Sequence, residues 1–432
     1  MEIQNIAEKA LAQSKAQQVD KAMVTVSSTV AKEFNIEANK LTLLRTTFDQ
    51  GVSIKSVIDH KQALSSGNQF SDDALSKVAK TSSEAAHASP QDPAYGFAPS
   101  QGQQSFSNGD LNADEEWMFE SLQQLLKDRT DKFAKIIFEG AALKFIKSER
   151  VLMTSEGSLL KSQQGYYDFM AMFTAKDGSK SSSFNFTTYQ VPSVQSKSSF
   201  QLMEKGHLSD LLEQLSGQLE LKKVPEKFVG DVIITPHGLA DFIGGWNSYL
   251  SGGMLLKENS LFKNKLGEQI ASSNWTLTSN PLDSQFATRG FWTGDGYITK
   301  NETIIDKGVL KTYLLDHYSA NKLGQKVSYS GGGFLKLTPG QAKLKDMIKS
   351  AKRGVLLGRF SAGNPSDNGE IAGVAKNSYY IEDGEIKYPI SETMLSMNLA
   401  SMLKDVQAIS SETITTGHSE LPWVQFSNVV VS

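Results

Sequence analysis

The chain has 432 residues, of which 39% are apolar, 9% aromatic and 21% charged, enough buried carbon and little enough charge for two or three packed domains. Lys and Arg total 44 against 47 Asp and Glu, a formal charge of −3, so no global field draws the chain to nucleic acid or to an anionic membrane. Cysteine is absent, which excludes disulfide frameworks, zinc-thiolate clusters, iron-sulfur sites and cysteine nucleophiles.

The first twenty residues lack the continuous apolar stretch of a signal peptide, and Ile3, Ile6, Ala7, Ala10 and Leu11 fall on one stripe of a helix. The short runs Met23–Val26, Phe34–Ile36 and Val52–Ile54 then read as a small meander of strands. Ser71 before Asp72 and Asp73 is an N-cap with acids in the first turn, and Leu75, Val78 and Ala79 supply the buried stripe of a second helix. The polar stretch 101–110 reads as an exposed connection, and Asn112 with Glu115 three residues later as the capping box of a third helix carrying Met118, Leu122, Leu125 and Leu126. From Ala134 to Tyr189 the pattern has period two, with a hairpin turn at Asp177-Gly178. The longest apolar run, Phe169–Phe173, is far short of the roughly 20 residues that cross a bilayer; the cytoplasm is the expected location.

Leu211, Leu212, Leu215 and Leu219 mark a further helix, and Lys222–Lys227, interrupted by Pro225, the expected domain boundary, giving domains of 1–225 and 226–432. The second half opens with the strand Val232–Ile234. Pro236 then sits in the first turn of a helix with the stripe Leu239, Phe242, Ile243, Trp246 and Leu250, stopped by Gly252-Gly253. Hairpins are predicted around Asp306-Lys307-Gly308 and Asp383-Gly384. Strands and helices do not alternate regularly, so the expected class is α+β: an N-terminal α+β domain and a C-terminal domain rich in antiparallel sheet.

Familiar catalytic signatures are missing: no nucleophile elbow, no Walker-type loop and no dinucleotide fingerprint. Of the six histidines no two are spaced i, i+4, the arrangement that offers two imidazoles to one metal from a helix. His237, at a helix start, and His317, beside Tyr318, could meet a substrate anion, although a lone histidine there ordinarily bonds backbone or water. The loop 358–369 carries Arg359, one of only six arginines, and Asn364; an Arg in such a loop can clamp a carboxylate. Gly331–Gly333 reads as a tight loop, and the basic stretch 336–353 as a solvated helix face, since 38 lysines against six arginines leave the chain poor in the residue that best forks guanine or phosphate.

Several motifs taken in order carry more. Asn39-Lys40-Leu41, Gly51-Val52-Ser53, the Ser71–Leu75 helix start, Pro90–Gly96, Pro281-Leu282-Asp283, Tyr318–Gly324, 381–392 and Asn398-Leu399 together resemble the TldD/PmbA family, and the second half looks like its PmbA (TldE) branch. The resemblance implies a two-domain α+β fold, a dimer, and a system that cleaves small or unfolded peptides, under an older family label of modulator of DNA gyrase. In the TldD-type subunit a helix bearing H-E-x-x-x-H and a cysteine near the C-terminus hold zinc, leaving one position for the attacking water.

Aligned on Gly252-Gly253 and Lys257, that motif falls on 244–249, so Gly244, Gly245 and Tyr249 stand where the ligands and general base belong, and Thr416 where the cysteine belongs. Glycine has no ligating atom and a neutral hydroxyl is a poor zinc ligand. The expectation is a PmbA/TldE-like chain with no catalytic residue, metal or cofactor of its own, working as a homodimer or beside a zinc-bearing TldD-type subunit on a peptide substrate. His237, His317, Arg359 and Asn364 are the candidate substrate-binding residues. A self-sufficient hydrolase with a rearranged site remains open, as does a gyrase- or nucleic-acid-associated binding module, though neither membrane nor nucleic acid is an expected partner.

Overall fold

The computed structural model describes residues 2–194, 201–391 and 393–432; Glu392, at the end of the 381–392 motif, lies outside them. The first half contains α1 (Ile3–Ala16), β1 (Lys21–Glu37), β2 (Lys40–Ile58), β3 (Lys61–Gly67), α2 (Asp72–Ala88), β4 (Gln103–Asn108), α3 (Glu115–Lys132), β5 (Ile136–Thr154), β6 (Leu159–Asp177), β7 (Lys180–Ser181), β8 (Asn185–Val191) and α4 (Leu208–Ser216). Its strands form one sheet in the order β3-β2-β1-β5-β6, with β4 parallel to the first part of β6 and β8 antiparallel to the second.

Alternation decides which face of this sheet is covered. Val24 and Val26 on β1, with Val52 and Ile54 on β2, bury against α1 and α2. Further along the same face of β1, Phe34 and Ile36 join Leu143 and Phe145 of β5 under α3 and α4. Ser71 caps α2 by accepting from the Ala74 amide, as its position predicts.

Three boundaries differ from the sequence reading. Met23–Val26 and Phe34–Ile36 belong to one 17-residue strand, because β1 pairs along its whole length with β2 and β5 and the intervening polar residues stay in register. Residues 103–108 are an edge strand rather than a plain connection, their backbone bonded to β6 although their side chains are largely exposed. And α3 is capped by Asp114, which accepts from the Trp117 amide, not by Asn112.

The second half contains β9 (Phe228–Ile234), α5 (Pro236–Tyr249), α6 (Gly252–Leu256), β10 (Leu277–Ser279), β11 (Glu302–Asp306), β12 (Val309–Leu310), α7 (His317–Leu323), β13 (Leu335–Leu337), α8 (Leu344–Ser350), β14 (Arg353–Leu357), β15 (Arg359–Ala362), β16 (Glu370–Lys376), β17 (Tyr379–Glu382), β18 (Glu385–Pro389), β19 (Thr393–Asn398), α9 (Leu399–Lys404), β20 (Val406–Thr415) and β21 (Ser419–Val431). Its sheet is mainly antiparallel, with β9 at the centre between β21 and β14. Gly252-Gly253 does not end α5, which stops at Tyr249; capped by Ser251, the pair opens α6. The fold is α+β.

The two halves are bound by a shared apolar cluster, in which Met23, Phe97, Leu152 and Leu160 meet Phe291 and Trp292. Phe106 stacks on Phe291 at 4.6 Å. No helix among the described residues is long and apolar enough to cross a membrane.

Candidate functional site

The helix that follows the central strand positions the site. Thr235 caps α5 by accepting from the Gly238 amide, and Pro236 sets the first turn. Leu239, Phe242, Ile243 and Trp246 turn inward, where the Trp246 indole donates to the Leu399 carbonyl at 2.8 Å. Each such large side chain, fully buried, contributes roughly 2–3 kcal/mol, so the helix is firmly seated and its opposite stripe is fixed in place. That stripe is Ala240, Asp241, Gly244 and Ser248, all exposed, with Gly245 beside them. A Cβ added at Gly244 or Gly245 would meet nothing within 4 Å. This strip is open.

Three elements border it. On one side the β15–β16 hairpin runs along α5: Phe360 stacks on Phe242 at 5.4 Å, Arg359 acts electrostatically on Asp241, and Asp367 acts on the Tyr249 phenol. On another, β8 brings Thr187 to 3.5 Å from the His237 Nε2, while Asn377 donates to the Phe184 carbonyl at 3.1 Å. The third is the Gly331–Gly333 loop, whose Gly332 carbonyl accepts from Asn247 of α5 at 3.3 Å. The turn between β20 and β21 reaches the same strand β8, since the Gln190 amide donates to the Thr416 carbonyl at 3.0 Å. Gly417 has φ +98°, and a Cβ there would lie 2.5 Å from that of Gln190, so only glycine lets this turn close on β8.

The four positions onto which the sequence reading laid the zinc motif are filled in different ways. Gly244 and Gly245 are vacant, whereas Tyr249 is buried, its ring edge-on to Phe262 at 6.4 Å and its phenol held above its ordinary pKa by that burial and then by Asp367. Thr416 bonds Ser419, hydroxyl to hydroxyl, at 2.7 Å. Among the described residues no group of three or more His, Asp or Glu could hold a metal ion. The donor set here does not fit a zinc ion.

Of the substrate-binding candidates, His237, at the start of α5, and Arg359 border the strip. His237 is half-buried, and desolvation, then the nearby His207, lowers its pKa to about 4, so it is a neutral imidazole at pH 7. Asn364 is exposed in the hairpin loop that passes α5.

His317 is elsewhere, in the contact between the two halves. Asn321 donates through Nδ2 both to the Ala94 carbonyl, at 3.1 Å, and to His317 Nε2, at 3.0 Å. Nε2 must then be the unprotonated nitrogen, and Nδ1 donates to the Tyr297 hydroxyl at 2.7 Å. Burial lowers the pKa of this ring, consistent with that neutral form. Around it Tyr318 and Lys322 both bond Asp92, at 3.0 and 2.9 Å, Tyr95 stacks on Tyr318 at 4.9 Å, and Lys55 pairs with Asp295 at 2.7 Å. The 90–96 and 318–324 motifs thus dock on each other. Gly96, at φ +150°, lies so close that a Cβ would come within 2.8 Å of His317 Nε2.

Asp241, Phe184 and Gln190 escaped the sequence reading. Asp241 was within reach of it, being four residues after His237 and three before Gly244 and hence on one helix stripe. Phe184, just before β8, and Gln190 within it carried no such signal, because only tertiary contact brings that part of the chain to α5 and its neighbours.

Residues 227–432 match the PmbA/TldA metallopeptidase C-terminal domain, and residues 22–86 match PmbA/TldA metallopeptidase domain 1. The chain belongs to the PmbA/TldD family. A metalloprotease PmbA homolog from Buchnera aphidicola subsp. Baizongia pistaciae is 25% identical over 197 residues, 44% of either chain. The matched segment spans under half the length of that relative and, at 43%, of the PmbA homolog from Haemophilus influenzae. In three dimensions the likeness runs the length of the chain. TldE from Thermococcus kodakarensis superposes with a TM-score of 0.86 at 19% identity, covering 99% of this chain and 100% of that one. A proposed modulator of DNA gyrase from Bacteroides thetaiotaomicron gives 0.86 at 22% identity, over 99% and 98%. At those identities the superpositions establish the fold, and it is that of the family's TldE and gyrase-modulator structures.

Proposed function

We propose that this PmbA/TldD-family chain is a TldE-like subunit that binds small or unfolded peptides along the α5 strip and leaves hydrolysis to a zinc-bearing TldD-type partner. The observation that carries the reading is the open strip at Gly244 and Gly245: the family's metallopeptidase chemistry has no ligand or base there, yet the strip is bordered by the β15–β16 hairpin, β8 and the Gly331–Gly333 loop. On the outward face of β6 and β8, Met170 and Met172 stand beside Thr188 and Phe186 in adjacent register, and Met170, Met172 and Phe186 are 42%, 39% and 47% exposed. Exposed apolar side chains grouped in this way mark a binding surface. This patch lies on the opposite face of β8 from Thr187, the residue that reaches His237 of α5.

A self-sufficient hydrolase requires His237, His317 and Arg359 in one cleft. His317 has both ring nitrogens engaged in the docking contact, which removes the second imidazole from that scheme.

The test is to purify the chain, measure bound zinc by mass spectrometry, and assay cleavage of an unfolded peptide by the chain alone and after mixing with a TldD-type subunit from the same organism. The reading expects no stoichiometric zinc and no cleavage alone, with cleavage and a stable complex on mixing. One zinc per chain together with chelator-sensitive cleavage by the chain alone would overturn it.

A further inference from the structure

Arg359, the first residue of β15, holds its guanidinium carbon 4.4 Å from the centre of the half-exposed Phe184 ring. Among the described residues its side chain has no hydrogen bond and no ion pair, and its Nε is buried without a partner. Three of the other five arginines are spent, Arg45 on Glu33, Arg129 on the Ile136 and Ala134 carbonyls and Arg353 on Glu226 and Tyr380, while Arg150 stands over Trp292 and Arg289, away from α5, shares the unpartnered buried Nε. Asp241 is the carboxylate that Arg359 senses, one helical turn before Gly244 and Gly245, but the two do not form an ion pair. Partial desolvation by the surrounding protein instead holds the Asp241 carboxyl above the ordinary carboxylate range, exposed though part of its side chain is, and Arg359 only partly offsets it.

A desolvated guanidinium without its own acceptor is costly unless something supplies one. The contact with the Phe184 ring restrains the guanidinium, whose planar fork a carboxylate meets with two parallel N–H···O bonds. We infer that Arg359 anchors a carboxylate of the peptide bound along α5, with Phe184 orienting the fork and Asp241 limiting the affinity by its own negative charge. This rests on the peptide-binding reading above. The carboxylate belongs either to the peptide's C-terminus or to an acidic side chain; both offer the same two oxygens.

Three N-acetylated unstructured decapeptides without a dye separate these sources by isothermal titration calorimetry against the full chain: an Ala/Leu peptide as the free acid, the same peptide as the C-terminal amide, and the amide with one internal Glu. The wild type is expected to bind a carboxylate-bearing peptide about tenfold more tightly than the plain amide. Arg359→Gln should erase that ratio, in which any uniform change in peptide binding cancels, Arg359→Lys should keep part of it, and Asp241→Asn should widen it. Phe184→Leu, which removes the stacking surface but no charge, should narrow it. A preference for a carboxylate-bearing peptide that survives Arg359→Gln, or the absence of any preference for either carboxylate-bearing peptide in the wild type while all three bind, overturns the anchor and leaves peptide binding standing. If no peptide binds the wild type, both fall.

Discussion

Two regions of this chain carry its most recognisable motifs and have opposite physical characters. Where the 90–96 segment meets α7, almost every polar group is answered: His317 through both nitrogens, Asp92 by Tyr318 and Lys322, Asp295 by Lys55 and the His317 amide. Along α5, the strip at Gly244 and Gly245 touches nothing, and the arginine beside it has no acceptor. The difference teaches that a motif residue with eye-catching chemistry can be consumed by docking, while motif positions with no side chain at all can mark the place where a ligand fits. Satisfied polar groups hold structure together; unsatisfied ones beside open space await something else.

The comparison breaks most sharply on two glycines eight residues apart. Gly252, at the start of α6, faces α7 so closely that a Cβ would lie 2.2 Å from both Cβ and Oγ of Ser319, whose hydroxyl is itself held by Asp316. Neither side can yield without moving a helix, so Gly252→Ala is expected to cost about 3 kcal/mol, the upper end of overpacking. A thermal melt should fall by several degrees. An unchanged melting temperature would mean that the docked side is looser than its contacts indicate.

Acid should probe both regions in turn. His237 and His317 are held neutral by burial, so their folded pKa values lie below the unfolded value near 6.5. Between the two values the unfolded chain binds more protons, so stability is complete above pH 6.5 and is lost as pH falls toward the folded pKa. For His237, whose folded value is about 4, the loss amounts to about 3 kcal/mol by pH 4. Around His317 the carboxylates of Asp295 and Asp316 soften the effect while Lys55 and Lys21 reinforce it. Urea midpoints should hold from pH 7.5 to about 6.5 and fall from there to pH 4.5, and His237→Gln should flatten that slope more than His317→Gln. Equal slopes in all three proteins would show that other groups carry the acid response. At constant pH 7.5, Tyr318→Phe removes one bond to Asp92 but leaves Lys322 in place, and should cost about 1 kcal/mol in the same midpoints.

How much of this was legible beforehand follows from the range of each interaction. The α5 helix, its first-turn proline and its buried stripe were readable because proline's backbone preference and a 3.6-residue period are local. The empty motif positions were readable because a missing side chain needs no geometry. Long β1 was not: its middle residues Ser27–Lys32 look like a turn by composition and become strand only because β2 and β5 flank them. The fate of His317 was equally hidden, since its two partners act together only once Asn321 is tethered to Ala94, 227 residues away in the chain. His237, Arg359 and Asn364 were named from residue type alone, and what the structure adds is the company of Phe184, Asp241 and Gln190, which arrive from a different sheet or from the unexamined turn of the same helix.

The smallest expected effect sharpens the contrast from the open side. Gly244 sits inside α5 with ordinary helical backbone, and glycine there forfeits conformational entropy relative to alanine without any steric return. Gly244→Ala should therefore stabilise the chain by roughly 0.5–1 kcal/mol, a rise of a degree or two in the melting temperature, where the same change at Gly252 is strongly destabilising. Retaining a residue that costs stability, on a surface where a methyl group would meet nothing in the free chain, makes sense if a ligand backbone passes there. Peptide binding in the Gly244→Ala protein should then weaken even as its melt rises. A rise in melting temperature with peptide affinity unchanged would put the peptide's path elsewhere than over Gly244.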